Sequence, residues 1–344
     1  MLTVYSEEHK RRNAKTELHG GELVASFECP SRIDFILARI EEVNLGVVEA
    51  PQSFGLDPVL RVHQRGFVDF LQNCWRDWLA EGYGGVALPS AWPARGMRQD
   101  RVPDDIRGRL GYFAFAADTS IEEGTWQAVR ASADVALSAQ KHVLKGARAA
   151  FALCRPPGHH AASDLYGGYC FLNNAAIAAQ AFRDEGAKRV AVLDVDFHHG
   201  NGTQEIFYGR DDVLFVSLHG DPGSAFPHFL GHADETGKGA GEGFNVNLPL
   251  PPGTSFDEWA IALEEALRRI SDFSPDVLVV SLGVDTFKDD PISLFRLESD
   301  DFKTYGARLA LLGLPTLFVM EGGYAVEEIG INTVNVLTGF DNAL

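Results

Sequence analysis

Apolar and polar positions repeat with two different periods, and from about residue 123 onward helical and strand patterns follow one another. Amphipathic segments with a 3.6-residue period predict helices, whereas short apolar runs between them predict strands. The predicted helices cover residues 125–146, 173–189, 255–273, 299–313 and a closing segment, and the predicted strands cover 149–155, 190–196, 213–219, 276–285 and 315–321.

The predicted strands are apolar at every position rather than at alternate positions. This pattern is typical of a parallel sheet whose two faces are both covered by helices. The 344 residues contain no repeat, no low-complexity tract and no obvious linker between two domains. The sequence therefore predicts one three-layer α/β domain, residues 1–344, with a central parallel sheet flanked by helices.

The first 122 residues are less regular, although the apolar spacing predicts helices near 31–44 and 64–82. Residues 83–122 carry Gly, Pro and charged residues with no clear period, so we expect a long loop there. Loops of this length inside a compact domain are usually functional or lie at an interface.

Polar side chains follow four of the predicted strands. The pair His159 and His160 follows the first, and Asp285 and Tyr324 follow two others; the segment Asp194–Gly202 follows the remaining one. Because ligands bind beyond the carboxyl ends of parallel strands, we expect these side chains to share one crevice.

Asp196, His198 and Asp285 form a candidate metal site. Carboxylates beside strongly apolar strands need a compensating cation. Two carboxylates and one imidazole leave coordination positions open for water and substrate, which is typical of a catalytic site. This donor set favours Zn(II), although Fe(II), Co(II) or Mn(II) would also suit it. A metal that activates water favours hydrolysis.

The neighbouring histidines are candidates for the general base that such hydrolysis needs. In each histidine the ring nitrogen that faces away from the reaction needs a hydrogen-bond acceptor, and we expect Asp194 and Asn201 to be these acceptors. A carboxylate partner raises a histidine pKa more than an amide does, so His159 and His160 would differ in protonation. Tyr324 follows two glycines and is suited to donate its hydroxyl to a developing oxyanion.

Five motifs occur together in order: RPPGHH at 155–160, GGYCFLNN at 167–174, DVDFHHGNGTQ at 194–204, SLGVDTF at 281–287 and EGGY at 321–324. With them the chain resembles the histone deacetylase superfamily, most closely its bacterial acetylpolyamine amidohydrolases. Asn201 and Glu321 depart from the class I histone deacetylases, which carry Asp and often Gly there. Both departures favour the polyamine and class II-like branches.

The resemblance implies an arginase-deacetylase fold with Zn(II) on the three ligands already named. It further implies that His160 is the general base, that His159 is its electrostatic partner beside Asp194, and that Tyr324 polarises the substrate carbonyl. It implies a narrow substrate tunnel for a slim aliphatic amide, lined by Gly168, Tyr169, Phe226, Ile292 and, at its mouth, Asp118. Asp104, Asp105 and Glu123 are alternative acidic residues for that mouth.

The family also holds monovalent cations and, in its polyamine branch, pairs subunits. The resemblance therefore implies structural K⁺ and a homodimer in which loop 83–122 contacts the second subunit and narrows the entrance. The residues implied for K⁺ are Asp194, Asp196, His198, Ser217 and Leu218 at one site, and Phe207, Arg210, Val213 and Phe244 at a second.

Composition and charge limit the classes of ligand and the cellular location that we expect for this protein. The chain has 30 Lys and Arg against 48 Asp and Glu, a formal net charge of −18, which disfavours nucleic acids and favours cationic ligands. Four cysteines without a CxxC pair argue against a disulfide framework. The charged amino terminus and the lack of a long apolar run predict a cytoplasmic protein that does not enter a membrane.

The leading hypothesis is a zinc-dependent amidohydrolase that removes acetyl groups from small acetylated polyamines such as acetylputrescine or acetylcadaverine. An acetyl-lysine protein or peptide deacetylase would use the same chemistry with a more open mouth. A binding module without turnover would be expected to lack one of the catalytic groups, and all are present. A binuclear ureohydrolase is disfavoured because only Asp285, rather than an Asp-x-Asp pair, follows its strand.

Overall fold

The computed structural model describes residues 1–343. Within this range eight strands form one sheet and two form a separate hairpin. The strands are β1 (Leu2–Val4), β2 (Thr16–His19), β3 (Glu22–Ala25), β4 (Val48–Glu49), β5 (Ala149–Ala152), β6 (Val190–Asp194), β7 (Val213–Gly220), β8 (Asn245–Leu250), β9 (Val277–Leu282) and β10 (Thr316–Met320).

The large sheet has the order β4-β1-β5-β10-β9-β6-β7-β8, and each neighbouring pair is parallel. The predicted parallel sheet is therefore confirmed. The four strands whose ends carry the candidate chemistry, β5, β10, β9 and β6, are consecutive neighbours at its centre. Their carboxyl ends open onto the same crevice.

Helices cover both faces of this sheet, as the apolar strands require. The helices are α1 (Ser31–Glu42), α2 (Asp57–Leu60), α3 (Arg65–Ala80), α4 (Ile106–Phe113), α5 (Thr125–Leu144), α6 (Asn174–Asp184), α7 (Asn201–Phe207), α8 (Phe256–Phe273), α9 (Ser299–Ala310) and α10 (Ile329–Asn342). No helix among residues 1–343 is both long and apolar enough to span a membrane.

Two separate cores explain the uniformly apolar strands. Alternate residues point to opposite faces of a strand, so in β5 Ala150 packs with one core and Phe151 with the other. The first core joins the sheet to α3, α4, α5 and α6, and the second joins it to α1, α8, α9 and α10. The three-layer prediction is thus confirmed in detail.

The expectation of a continuous loop over 83–122 is wrong at one place, because α4 lies within it. Asp105 caps this helix by accepting a hydrogen bond from the Arg107 N–H at 2.8 Å. Ile106, Leu110 and Phe113 bury its apolar face in the first core. Two glycines lower the helix propensity of this short segment, so tertiary packing decides its structure.

Candidate active site

The carboxyl ends of the central strands open into a cavity of about 470 Å³. His160, His198 and Tyr324 are among its lining residues, so three different strands contribute to one pocket. Residues 17–20, Asp118, 168–169, 224–226, His228 and 291–294 form much of the remaining lining. The structure therefore brings the predicted catalytic residues together at one site.

Asp196, His198 and Asp285 form a compact group, of which His198 lines this pocket. One ligand atom from each lies within 4.8 Å of the other two, and all three residues are buried. The His198 Nδ1 atom is 2.9 Å from the Asp285 Oδ2 atom and 3.3 Å from the Asp196 Oδ1 atom. Two buried carboxylates facing one imidazole nitrogen are a donor set that a divalent cation fits.

Backbone groups hold the two carboxylates in place. The Gly322 N–H donates to Asp196 Oδ2 at 2.8 Å, and the Phe197 N–H donates to Asp285 Oδ1 at 2.7 Å. A Cβ atom on Gly322 would lie 2.6 Å from both carboxylates. Glycine is required at this position because any side chain would intrude on the ligands.

The tandem histidines have the unequal partners that the sequence predicts. The His159 Nδ1 atom lies 3.0 Å from Asp194 Oδ2, whereas the His160 Nδ1 atom lies 2.6 Å from Asn201 Oδ1. Their ring centroids are 4.0 Å apart, and both residues are only 3% exposed.

This difference separates the two imidazoles electrostatically. Burial opposes charge on His159, but the carboxylates of Asp196 and Asp194 outweigh it and raise its pKa to about 10. Burial lowers the pKa of His160 well below its usual value, and the positive charge of His159 adds to the effect. The pair is therefore arranged as one cationic and one neutral ring, and only the neutral ring lines the pocket.

The Glu321 carboxylate binds the backbone at the start of the tandem histidines. Its Oε2 atom accepts hydrogen bonds from the Gly158 N–H at 2.6 Å and the His159 N–H at 3.1 Å. Burial raises the pKa of this carboxyl to about 7. In the sequence Glu321 is recognisable only as a departure from the class I histone deacetylases, because its contact with residues 158–159 depends on the adjacency of β5 and β10.

Tyr324 lies at the pocket with 7% of its surface exposed. The Arg32 guanidinium lies over its ring, 5.0 Å from the centroid. Burial raises the pKa of the Tyr324 hydroxyl well above its usual value, so the group stays protonated and able to donate. This is the state that a donor to an oxyanion requires.

The predicted tunnel residues also lie around the pocket. Phe226 meets the His160 ring edge to face, with 5.1 Å between the ring centroids, and Ile292 also lines the pocket. The Tyr169 hydroxyl donates to Glu17 Oε1 at 2.6 Å. A Cβ atom on Gly168 would collide with the His160 ring, so this close approach also depends on glycine.

Asp118 lines the pocket, whereas Asp104, Asp105 and Glu123 are exposed outside its lining. The Asp118 Oδ1 atom accepts hydrogen bonds from the Gly168 N–H at 3.0 Å and from the Thr119 hydroxyl. Burial raises the pKa of its carboxyl. Among the four acidic candidates, Asp118 alone occupies a position from which it can face a ligand in this pocket.

The β2–β3 hairpin is a part of the site that is not predicted from the sequence. Glu17, Leu18, His19 and Gly20 line the pocket, and Glu17 is only 4% exposed. The signal is present in the sequence, since Gly20 and Gly21 separate two short runs, and paired glycines favour a two-residue hairpin turn. Their φ angles of 58° and 87° are the positive values that such a turn needs.

The two residue sets predicted to bind K⁺ lie at opposite ends of the strands. Ser217 pairs in register with Asp194, so the first set lies beside the candidate metal ligands. The second set lies at the opposite ends of the strands, where α7 ends at Phe207 and β7 begins at Val213. The occupation of both sites by K⁺ stays a prediction.

Comparisons with known proteins agree on one family. A model of the histone deacetylase domain matches residues 26–340. Acetylpolyamine amidohydrolase 2 of Pseudomonas aeruginosa is 60% identical over 341 residues, 99% of each chain. The acetylpolyamine amidohydrolase of Mycoplana ramosa is 54% identical over 98% of this chain and 99% of that protein.

A solved structure agrees over the whole chain. The acetylpolyamine aminohydrolase from Burkholderia pseudomallei superimposes with a TM-score of 0.95 and 40% sequence identity, covering 100% of this chain and 99% of that one. The arginase-deacetylase fold implied by the sequence motifs is thus confirmed. The chain belongs to the histone deacetylase family.

Proposed function

We propose that this protein is a zinc-dependent amidohydrolase that removes the acetyl group from small acetylated polyamines, releasing acetate and a free amine. One observation carries the proposal: the three-ligand group, the neutral imidazole of His160 and the hydroxyl of Tyr324 meet at a pocket that the carboxylates of Glu17 and Asp118 also line. The naming of its full-length relatives as acetylpolyamine amidohydrolases supports the same substrate class.

Asp196, His198 and Asp285 would hold the metal, which we propose to be Zn(II), with Fe(II) or Co(II) as alternatives. When bound, the metal supplies Lewis-acid activation of water and of the amide carbonyl. K⁺ at the two predicted sites would act structurally.

The side chains supply the proton transfers and the charge stabilisation. His160 takes the proton of the attacking water at its Nε2 atom and returns it to the leaving amine. Asn201 fixes the tautomer by accepting from the His160 Nδ1–H. Asp194 orients the His159 ring and favours its protonated form beside the reacting centre, and the Tyr324 hydroxyl donates to the oxygen that gains negative charge.

The carboxylates at the mouth support a cationic substrate. Glu17 and Asp118 both line the pocket, and burial raises the pKa of each carboxyl, with a further increase for Glu17 from the charge of Asp118. An ammonium group at the distal end of the substrate would stabilise both carboxylates in their charged forms. A pocket with an acidic mouth therefore favours an acetylated diamine.

We further propose that the protein is a homodimer in the cytoplasm. A homodimer paired through residues 83–122 would give the exposed side chains of Met97 and Val102 a partner surface. The four cysteines are all free thiols, which suits a reducing cytoplasm.

The decisive experiment compares kcat/KM for acetate release from acetylputrescine, acetylcadaverine, acetylspermidine and an acetyl-lysine peptide, using zinc-loaded enzyme with K⁺ present. N-butylacetamide serves as the matched neutral control, because it has the chain of acetylputrescine without the ammonium group. We expect the small diamines to exceed both the peptide and the neutral amide by tenfold or more, about 1.4 kcal/mol of discrimination.

Two outcomes would contradict the proposal. A peptide that is turned over faster than the diamines would make the protein a lysine deacetylase. A protein that binds acetylputrescine without releasing acetate would be a binding module.

A further inference from the structure

Asp290 is a buried carboxylate that belongs neither to the candidate metal ligands nor to the tandem histidines. It lies in the loop between β9 and α9 and is 6% exposed, next to the exposed Asp289. The residues that follow it, including Ile292, form one wall of the pocket.

Three backbone N–H groups from two separate segments converge on this carboxylate. The Tyr324 N–H donates to Asp290 Oδ2 at 2.7 Å, and the Ala325 N–H donates to the same atom at 3.3 Å. The Ile292 N–H donates to Asp290 Oδ1 at 3.1 Å. One side chain therefore links the segment that carries Tyr324 to the wall of the substrate pocket.

The segment that carries Tyr324 needs such a link. Gly322 and Gly323 precede the tyrosine, and Gly323 has a φ of 134°, a conformation that other residues rarely adopt. Arg32 donates to the carbonyl oxygens of Glu321 at 2.6 Å and of Gly323 at 2.7 Å. Arg32 thus holds two carbonyl groups of this glycine-containing segment, and Asp290 holds the N–H groups of the two residues that follow the glycines.

We propose that Asp290 is a positioning residue for the reaction. It fixes the position of the Tyr324 hydroxyl relative to the pocket wall at Ile292. A hydroxyl that stabilises an oxyanion must lie close to where the charge develops. Displacement of such a group by about 1 Å costs on the order of 100-fold in rate. The carboxylate is suited to this task because its two oxygens accept from both segments at once.

The test uses the D290N variant, because asparagine has nearly the same shape but retains only one acceptor oxygen. D289N is the matched control, since it removes a neighbouring exposed charge. With acetylputrescine, we expect D290N to lower kcat about 10-fold to 100-fold, to change KM less than threefold and to keep the metal content of the wild type. We expect D289N to behave as the wild type does.

A double-mutant comparison separates positioning from a general structural role. If Asp290 acts through the Tyr324 hydroxyl, D290N should lower kcat less than threefold when it is introduced into Y324F. Equal losses in the wild-type and Y324F backgrounds would overturn the inference. So would a kcat of D290N equal to that of D289N.

D290E is the second variant, in case D290N does not fold, because it keeps the negative charge and moves the acceptor oxygens by one methylene. We expect a kcat loss of about 10-fold, again absent in the Y324F background, and full activity would overturn the inference.

The inference rests on the proposed role of Tyr324, and wild-type turnover tests that function separately. A crystal structure of D290N gives a readout that needs no substrate. We expect a displaced Tyr324 side chain with Asp196, His198 and Asp285 unmoved, and an unmoved Tyr324 would contradict the proposal.

Discussion

The inner part of the active site and its mouth are built differently. The inner part comprises residues that directly follow β5, β6, β9 and β10, and its charged side chains are nearly inaccessible to solvent. Asp196, for example, accepts from the N–H groups of His198 and Gly322. The mouth comprises the β2–β3 hairpin, Asp118 and residues 291–294, which come from distant parts of the chain and are partly exposed.

This difference indicates a division of labour. Buried groups with fixed partners are already oriented toward the charge that develops in the reaction, so small changes there should cost much activity. Segments at a surface can vary in sequence without disturbing the sheet, so they suit substrate selection. Substitutions should therefore have large effects on kcat in the inner part and smaller, substrate-dependent effects at the mouth.

The largest effect is expected for H160A. Removal of the neutral imidazole that lines the pocket should lower kcat by about 1000-fold or more, within the range expected for a general base. The metal content should stay at the wild-type level, because His160 is not among the three candidate ligands. Steady-state kinetics and elemental analysis check both statements, with H232A at an exposed position as the control.

Loss of metal in H160A would mean that this histidine is a ligand and that the inner part is assigned wrongly.

The Y324F variant should lose about 100-fold in kcat and keep its metal. The reason is that phenylalanine preserves the packing against Arg32 but lacks the hydroxyl that donates to the oxyanion. The measurement is kcat together with metal content. An unchanged kcat would remove Tyr324 from the catalytic group.

His63, between α2 and α3, contacts the segments that lead from β5 to α6, and it gives a test of the buried surroundings of the inner part by pH. Its Nδ1 atom lies 2.9 Å from the Ala162 carbonyl oxygen, and the Asn173 N–H donates to its Nε2 atom at 2.9 Å. Burial lowers the pKa of His63 to about 4, against about 6.5 in the unfolded chain. The unfolded state therefore binds an extra proton between pH 6.5 and 4, and the folded state loses stability as the pH falls through this window.

At pH 5 the protonation of His63 in the unfolded state lowers the free energy of unfolding by about 2 kcal/mol, a change of about 30-fold in the unfolding equilibrium. H63Q has no ionisable group at this position, so its free energy of unfolding should fall less between pH 7 and pH 5 than that of the wild type. Urea unfolding at the two pH values measures the difference. Identical losses in both proteins would mean that His63 is not held neutral in the fold.

The smallest effect is expected at the mouth. D118N keeps the shape of the side chain and the acceptor for the Gly168 N–H but removes the charge. We expect kcat/KM to fall about 10-fold for acetylputrescine and less than threefold for the neutral N-butylacetamide, because only the former carries an ammonium group. D104N, an exposed acidic residue outside the pocket, is the control.

Equal losses for the two substrates would show that Asp118 supports the wall rather than recognising a cation. The contrast between the inner part and the mouth would then not hold for this residue.

The sequence predicts the centre of the fold better than its edges. The strands β5, β6, β7, β9 and β10 are long or apolar enough to be recognised, whereas β1 and β4 contain three and two residues. β8 is an edge strand with intermediate burial at most positions, so it lacks a uniformly apolar signal. Strands that are short or that lie at the edge of a sheet acquire their structure by pairing with a neighbour rather than from their own composition.

The residues of the site also divide into those that the sequence predicts and those that it does not. The candidate ligands, the tandem histidines and Tyr324 each follow a strand or lie within a distinct motif, so their residue types and the parallel topology suffice to predict that they meet. The contributions of Glu17 and Asp290 could not be predicted in this way. Their partners are 152 and 34 residues away along the chain, and neither belongs to a motif.

The sequence by itself thus determined the parallel sheet, the identity of the chemical groups and the end of the sheet at which they lie, because the composition of each strand and the residues that directly follow it are local properties of the chain. Only the tertiary structure decided which carboxylate holds which catalytic segment and which residues enclose the substrate. Those contacts join segments that are remote in sequence, and their geometry depends on how the helices and loops pack around the sheet.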